Sequence, residues 1–216
     1  MKKVIIFDFD GTLYSGSEIF KYVPDYVLKY RRNFLVDLTD EQYEKVCKEN
    51  PRFLEVSVGR DVTAELYRLK EKYPDYPIST KAFCDTQETY VYDIYLEGAH
   101  IVDPKVVEKY CKNYSVYIVS NSARKHIKHY MDMFGIDINW FKEVISNQFL
   151  PDDPTKKPYY EYIIKKEGIK PENLYVFGDS PVSDLEPAIE INANGYFVND
   201  SHKLDEIVSK ALNENK

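Results

Sequence analysis

Short apolar runs alternate with segments bounded by helix-capping residues through the second half of the chain. The apolar runs at 116–120, 143–146, 174–177 and 195–198 have the length and composition of strands. Helices are predicted between them at 104–112, 123–134, 158–166 and 184–191, with Asp103 and Ser122 as caps and Gly135 and Gly168 as stops. Such alternation is typical of an α/β fold with a parallel sheet covered by helices on both faces.

Residues 15–100 do not follow this rhythm, and we predict that they form a helical insertion. Apolar residues recur at three- and four-residue spacing from Ile19 to Phe34, a capping box opens a helix at 39–42, and Leu66 and Leu69 fit a third helix. A fourth helix is predicted at 86–95. Because about 80 residues far exceed an ordinary loop, this segment needs a core of its own. The predicted domains are therefore a core of 1–14 and 101–216, and an insertion of 15–100.

The first apolar run, at 4–7, leads directly into two carboxylates, Asp8 and Asp10. Residues two apart in a strand point the same way, so both carboxylates are expected to face one site where the strand opens into a turn. Two like charges held together favour a cation between them, and hard oxygen ligands favour Mg²⁺.

Two further polar clusters follow predicted strands. Ser120 and Asn121 end the strand at 116–120, while Asp179 and Asp184 follow the strand at 174–177. Ligands of open α/β sheets bind outside the carboxyl ends of the strands, so we expect all three clusters to share one crevice.

These motifs, in this order, resemble those of the haloacid dehalogenase superfamily. The run Asp-Phe-Asp-Gly-Thr-Leu-Tyr at 8–14 is similar to its first motif, Ser120 to its second, Lys157 before Pro158 to its third, and Gly-Asp-Ser at 178–180 with Asp184 to its fourth. The resemblance implies a Rossmann-like core, and the insertion resembles that superfamily's helical cap in position and length.

The resemblance also implies the chemistry. Asp8 would attack phosphorus and form an aspartyl-phosphate, and Asp10 would act as general acid and then general base. The second carboxylate separates the superfamily's phosphotransferases from its dehalogenases. The implied phosphate-binding residues are Gly11, Thr12, Ser120, Asn121 and Lys157, and the implied Mg²⁺ ligands are Asp8, Asp10 (through its backbone carbonyl), Asp179 and Asp184.

The third motif leaves a choice between two lysines. Lys156 stands beside Lys157. The family pattern favours Lys157, because it directly precedes a proline.

Composition narrows the class of partner. A formal net charge of −7 argues against a nucleic-acid polymer, whereas a small phosphorylated metabolite needs only a local positive site. The apolar run at the start is too short for a signal peptide, and the sequence has no run long enough to span a membrane. Three scattered cysteines are typical of reduced thiols, so a cytoplasmic location is expected.

Three functions stay open on the sequence. The first is a Mg²⁺-dependent phosphatase, and the second is a sugar phosphomutase with the same aspartyl-phosphate chemistry. The third is a phosphorylatable regulatory module like the response-regulator receivers, although those carry no large insertion and place the phosphorylated aspartate after an internal strand. The substrate is open among nucleotides, sugar phosphates and phosphoglycolate, and the sequence does not predict an oligomeric state.

Overall fold

The computed structural model describes residues 2–15, 32, 35, 37–51, 53, 60–78, 100–122, 124–146 and 155–214. Its strands are β1 (Val4–Phe7), β2 (Tyr14–Ser15), β3 (His100–Ile101), β4 (Ser115–Ser120), β5 (Glu143–Ser146), β6 (Leu174–Gly178) and β7 (Asn194–Phe197). Its α-helices are α1 (Asp40–Glu49), α2 (Arg60–Lys72), α3 (Pro104–Asn113), α4 (Arg124–Phe134), α5 (Lys157–Glu167), α6 (Glu186–Glu190) and α7 (Leu204–Glu214).

Five of these strands form one parallel sheet in the order β5-β4-β1-β6-β7. The central strand β1 pairs with β4 on one side and with β6 on the other. The chain builds one half of the sheet outward from β1 and then crosses to build the other half. This reversal makes the carboxyl end of β1 the place where an open α/β sheet binds ligands.

The two faces of the sheet are buried in separate apolar clusters. Ile5 and Phe7 of β1 lie in one cluster, and Val4 and Ile6 lie in the other, as alternation along a strand requires. All four side chains are fully buried. A strand buried on both faces is a continuous apolar run in the sequence, as residues 4–7 are. The parallel sheet and its flanking helices confirm the predicted α/β fold.

Most predicted elements of the core lie within a residue or two of the observed ones. Asp103 caps α3 by accepting a hydrogen bond from the Lys105 backbone N–H at 2.9 Å, and Gly168 ends α5 in the left-handed conformation. Two predictions need correction. The segment at 184–191 is a π-helical turn, Pro181–Leu185, followed by the short helix α6, and α7 was not predicted.

The two ends of the segment 15–100 lie side by side. Strands β2 and β3 pair antiparallel, with Tyr14 opposite Ile101, and the Val102 backbone N–H donates to the carbonyl of Leu13 at 2.8 Å. Within this segment, α1 has both hydrogen bonds of the predicted capping box, and Leu66 and Leu69 of α2 are buried. The stripe from Ile19 to Phe34 and the predicted helix at 86–95 lie outside the described residues.

The described residues bear on the membrane and cysteine predictions. No helix in the described part of the chain is long and apolar enough to cross a membrane. Cys47 and Cys111 are free thiols, and burial raises the pKa of Cys111 to about 12, which keeps that thiol protonated and unreactive near neutral pH.

Candidate active site

The turn after β1 directs its two carboxylates out of the sheet. The Asp8 backbone N–H donates to the carbonyl of Phe177 in β6 at 2.9 Å, which continues the sheet by one residue. The carbonyl of Phe9 then accepts hydrogen bonds from the backbone N–H groups of Leu13 and Tyr14, closing a tight turn. Gly11 sits in that turn at φ +83°, a conformation that favours glycine.

A buried lysine links the first and fourth motifs. The Lys156 Nζ lies 2.6 Å from Oδ1 of Asp8 and 2.6 Å from Oδ1 of Asp184. The three residues are 2%, 7% and 1% exposed, respectively. A buried ion network of this kind is costly to assemble and costly to break, which is typical of a functional site.

The charges in this network influence one another strongly. Burial raises the pKa of the Asp8 carboxyl well above its usual value, Asp184 and Asp179 raise it further, and Lys156 opposes the rise. Burial alone would lower the pKa of the Lys156 ammonium, but the charges of Asp184 and Asp8 outweigh burial and raise it. The site therefore carries more negative charge than its lysine can balance.

A divalent cation fits this surplus of charge. Asp8, Asp179 and Asp184 each offer a carboxylate oxygen, and these atoms lie within 4.8 Å of one another. Three carboxylates and one ammonium have a net charge of −2, which one divalent cation would neutralise. An all-oxygen donor set favours Mg²⁺ over softer metals.

Two glycines make room for the carboxylates of this cluster. A Cβ on Gly11 would lie 2.0 Å from Oδ2 of Asp179, and a Cβ on Gly178 would lie 2.4 Å from both Cβ and Oδ2 of Asp184. Neither position has space for a larger residue unless an acidic side chain moves. The backbone of two motifs is therefore shaped around the acidic residues of the fourth.

The π-helical turn fixes Asp184 from several sides. Its Oδ2 accepts a hydrogen bond from the Ser180 backbone N–H at 2.9 Å, while Oδ1 faces Lys156. The Tyr160 hydroxyl donates to its backbone carbonyl at 3.2 Å. The capping role belongs to Ser180, whose hydroxyl accepts from the Ser183 N–H at 3.2 Å. Asp184 thus holds Lys156 in place.

Replacing Gly178 with alanine is expected to disturb this arrangement. The added methyl group would push Asp184 away from Lys156, at a cost of about 1–3 kcal/mol in the free energy of unfolding. Gly195→Ala, in the strand paired with that of Gly178, is the matched control, because its added Cβ would lie 3.5 Å from the nearest atoms, which belong to Leu185. Urea unfolding of both variants measures the difference, and equal stability would contradict the crowding at Gly178.

The second motif meets the first through Ser122. The Ser122 hydroxyl donates to Oδ2 of Asp10, and its backbone N–H donates to Oγ of Ser120 at 3.0 Å. Because the Ser120 oxygen accepts this hydrogen bond, its own proton is available for another acceptor. The ends of β1, β4 and β6 thus contribute to one continuous site.

The structure corrects the predicted lysine by one position. The side chain of Lys157 is 39% exposed, and its Nζ lies 3.0 Å from Oε2 of Glu190, on the surface. Lys156 takes the place expected of Lys157. It is the residue immediately before α5, and it continues the buried face of that helix formed by Tyr159, Tyr160 and Ile163. The rule of the residue before proline was misleading here.

The remaining predicted residues lie in the same turns. Thr12 is fully buried, and its hydroxyl has no hydrogen-bond partner among the described residues. Asn121 is half-buried and directly follows Ser120 at the end of β4. Sequence reasoning weighed Lys156 but preferred Lys157, and it treated Ser122 only as a helix cap.

Residues 2–192 match the family model of the haloacid dehalogenase-like hydrolases. A phosphoglycolate phosphatase of Pasteurella multocida is 36% identical over 70 residues, which are 32% of this chain and 30% of that protein. The aligned region is therefore less than a third of the relative's length.

Solved structures share the fold over nearly the whole chain. A protein of Haemophilus somnus described as a predicted phosphoglycolate phosphatase superposes with a TM-score of 0.55 at 20% identity, covering 100% of this chain and 98% of that one. The HAD-hydrolase YfnB of Bacillus subtilis, solved with bound magnesium, gives a TM-score of 0.53 at 16% identity, covering 94% of this chain and 91% of that one. At these identities the likeness is one of fold.

Proposed function

Because the chain belongs to the haloacid dehalogenase-like hydrolase family, we propose that it is a Mg²⁺-dependent phosphatase that acts through a phosphorylated Asp8. The observation that carries this proposal is the buried lysine network. Lys156 holds Asp8 and Asp184 together, and Asp179 completes a set of carboxylates suited to one cation. A structural ion pair would need neither the third carboxylate nor the surplus negative charge.

In the first step, the Asp8 carboxylate attacks the phosphorus of a phosphomonoester, and the bond to the ester oxygen breaks. A hydrolysis that is slow in water is thereby divided into two easier steps. The hydrogen bond from Lys156 fixes the rotation of the Asp8 carboxylate at 2.6 Å. Its ammonium also offsets negative charge as the phosphoryl group is transferred.

Asp10 handles the protons of both steps. It gives a proton to the departing ester oxygen and then, as a carboxylate, takes one from the water that attacks the phosphorylated Asp8. Asp10 is two residues from the nucleophile, in the turn that follows β1. The Ser120 hydroxyl donates a hydrogen bond to a phosphoryl oxygen, and the Asn121 backbone N–H donates a second one.

The carboxylates of Asp8 and Asp179 and the backbone carbonyl of Asp10 would hold Mg²⁺, with Asp184 orienting Lys156 beside them. When bound, Mg²⁺ supplies positive charge to the phosphoryl oxygens. A structural relative, YfnB, was solved with bound magnesium, which supports this choice of ion.

We also propose that residues 15–100 form a cap domain over this site. The pairing of β2 with β3 joins the two ends of the segment, and β2 follows Asp8 and Asp10 within a few residues of the chain. A cap in this position would exclude bulk water and contact the part of the substrate remote from its phosphate. The partial match to a phosphoglycolate phosphatase makes phosphoglycolate the first substrate to test.

The proposal is tested with purified protein, Mg²⁺ and a panel of phosphoglycolate, sugar phosphates, nucleoside monophosphates and 4-nitrophenyl phosphate. We expect release of inorganic phosphate from at least one ester, and loss of that release when the metal is chelated. Phosphorus NMR separates hydrolysis from isomer formation, which would indicate a phosphomutase. No turnover of any ester, together with no phosphorylation of Asp8, would contradict the proposal.

A further inference from the structure

Ser122 has two hydrogen bonds that tie the proposed proton donor to the second motif. Its hydroxyl donates to Oδ2 of Asp10, and its backbone N–H donates to Oγ of Ser120. Ser122 itself is 4% exposed, directly after the strand β4. A buried hydroxyl directed at a carboxylate 112 positions earlier in the chain does more than a helix cap requires.

We propose that Ser122 is a positioning residue, which holds the Asp10 carboxyl group in the orientation needed to protonate the leaving oxygen. This inference rests on the proposed phosphatase function and adds a residue to it. The hydrogen bond engages Oδ2 of Asp10, so the proton that Asp10 donates is carried on Oδ1. The hydrogen bond from Ser122 thereby fixes one carboxyl oxygen, and the proposal assigns the transferred proton to the other.

The proton transfers balance without any change in Ser122. As the P–O bond to the leaving group breaks, its electron pair stays on the ester oxygen, which takes the proton from Oδ1 of Asp10. The resulting carboxylate then removes a proton from water as that water attacks the phosphorus of phosphorylated Asp8. Ser122 keeps its own proton and its hydrogen bond to Oδ2 throughout.

The requirement for an acid depends on the leaving group. A 4-nitrophenolate ion leaves without protonation, whereas an aliphatic alkoxide is too basic to leave without it. In the phosphorylation of Asp8, a residue that only orients Asp10 therefore matters for aliphatic esters and matters little for 4-nitrophenyl phosphate. Hydrolysis of phosphorylated Asp8 is the same for both esters, so the comparison uses kcat/KM, which covers the steps up to the departure of the leaving group. A residue that only stabilises the fold affects both esters alike.

The test compares kcat/KM for 4-nitrophenyl phosphate with kcat/KM for the best aliphatic phosphomonoester. Ser122→Ala removes the hydroxyl but retains the backbone N–H that binds Ser120. We expect it to lower kcat/KM for the aliphatic ester by about 10- to 100-fold, and for 4-nitrophenyl phosphate by less than about threefold. Asp10→Asn should show the same dependence on the leaving group, to a greater extent.

Two further variants make the result interpretable. Ser122→Cys fills the same space with a weaker donor, so it should repeat the dependence even if the alanine variant does not fold. Ser209→Ala, which removes a hydroxyl that lies 2.9 Å from the Tyr110 hydroxyl, should change both rates equally or not at all.

Equal losses for both esters in the Ser122 variants, or no loss, would overturn the inference and leave the phosphatase intact. A wild-type protein that hydrolyses neither ester would overturn the proposed function and this inference together. The wild-type rates, measured first, distinguish the two failures.

Discussion

Replacing Lys156 with methionine is expected to lower kcat/KM by at least about 10²-fold, whereas the same change at Lys157 should leave it within about threefold. Lys156 is buried against Asp8 and Asp184, and its loss removes the positive charge that assists phosphoryl transfer. Lys157 pairs with Glu190 on the surface, where an ion pair is worth about 0–1 kcal/mol. Steady-state kinetics of both variants measures the contrast.

The two lysines make a matched pair, since they are adjacent and chemically identical. Removing one partner from a buried ion network typically costs about 3–5 kcal/mol, so Lys156→Met should also unfold at lower temperature. Lys156→Arg keeps the charge and separates loss of charge from loss of fold. A larger loss of activity at Lys157 than at Lys156 would show that the family's pattern, and not the structure, identifies the functional lysine.

Replacing Asp8 with asparagine is expected to lower kcat by on the order of 10⁴-fold or more, equivalent to about 5.4 kcal/mol of barrier. The amide keeps the shape of the side chain but is a poor nucleophile, so no phosphoenzyme can form. Acid quenching during turnover, followed by mass spectrometry, should find phosphate on Asp8 of the wild type and none on the variant.

The same substitution should not weaken the metal-free fold. Asp8 lies in a cluster of three carboxylates, and burial is the largest cause of the raised pKa of its carboxyl group, with repulsion from Asp184 and Asp179 adding to it. Together these outweigh the attraction of Lys156, so removing the charge of Asp8 relieves a net cost. The thermal midpoint of Asp8→Asn without metal should therefore equal or exceed that of the wild type. Retained activity in this variant would contradict the mechanism, and a large fall in its thermal midpoint would contradict the proposed surplus of charge.

The core sheet was predictable because its strands are buried on both faces. Such strands are continuous apolar runs, and the helix ends between them are marked by Asp103 and Gly168. The helix α7 was missed although Leu204, Val208 and Ala211 are spaced as on one helical face. This apolar spacing was present in the sequence and was overlooked.

The two corrections at the site have different causes. Lys156 stands three, four and seven residues before the buried residues Tyr159, Tyr160 and Ile163, a spacing that identifies the inward-facing lysine. That spacing was visible in the sequence, but Lys157 was preferred because it directly precedes a proline. The turn around Asp184 was not predictable, because its π-helical form depends on tertiary contacts from Lys156 and Tyr160.

The contact between Ser122 and Asp10 could not be predicted from the sequence either. A serine before a helix is ordinarily a cap, and no local pattern reveals a carboxylate 112 positions away. The sequence order of the motifs predicted which strand ends meet. The close approaches of Asp179 to Gly11 and of Asp184 to Gly178 likewise depend on the tertiary structure.

The central claim is that Asp8 is phosphorylated beside a Mg²⁺ ion held by the acidic cluster. A crystal structure with Mg²⁺ and beryllium fluoride, which mimics a phosphoryl group, tests it most directly. The account predicts beryllium bonded to a carboxylate oxygen of Asp8, with Mg²⁺ coordinated by Asp8 and Asp179 and the ammonium of Lys156 against the fluorides. Beryllium on another residue, or Mg²⁺ bound away from Asp8 and Asp179, would contradict it.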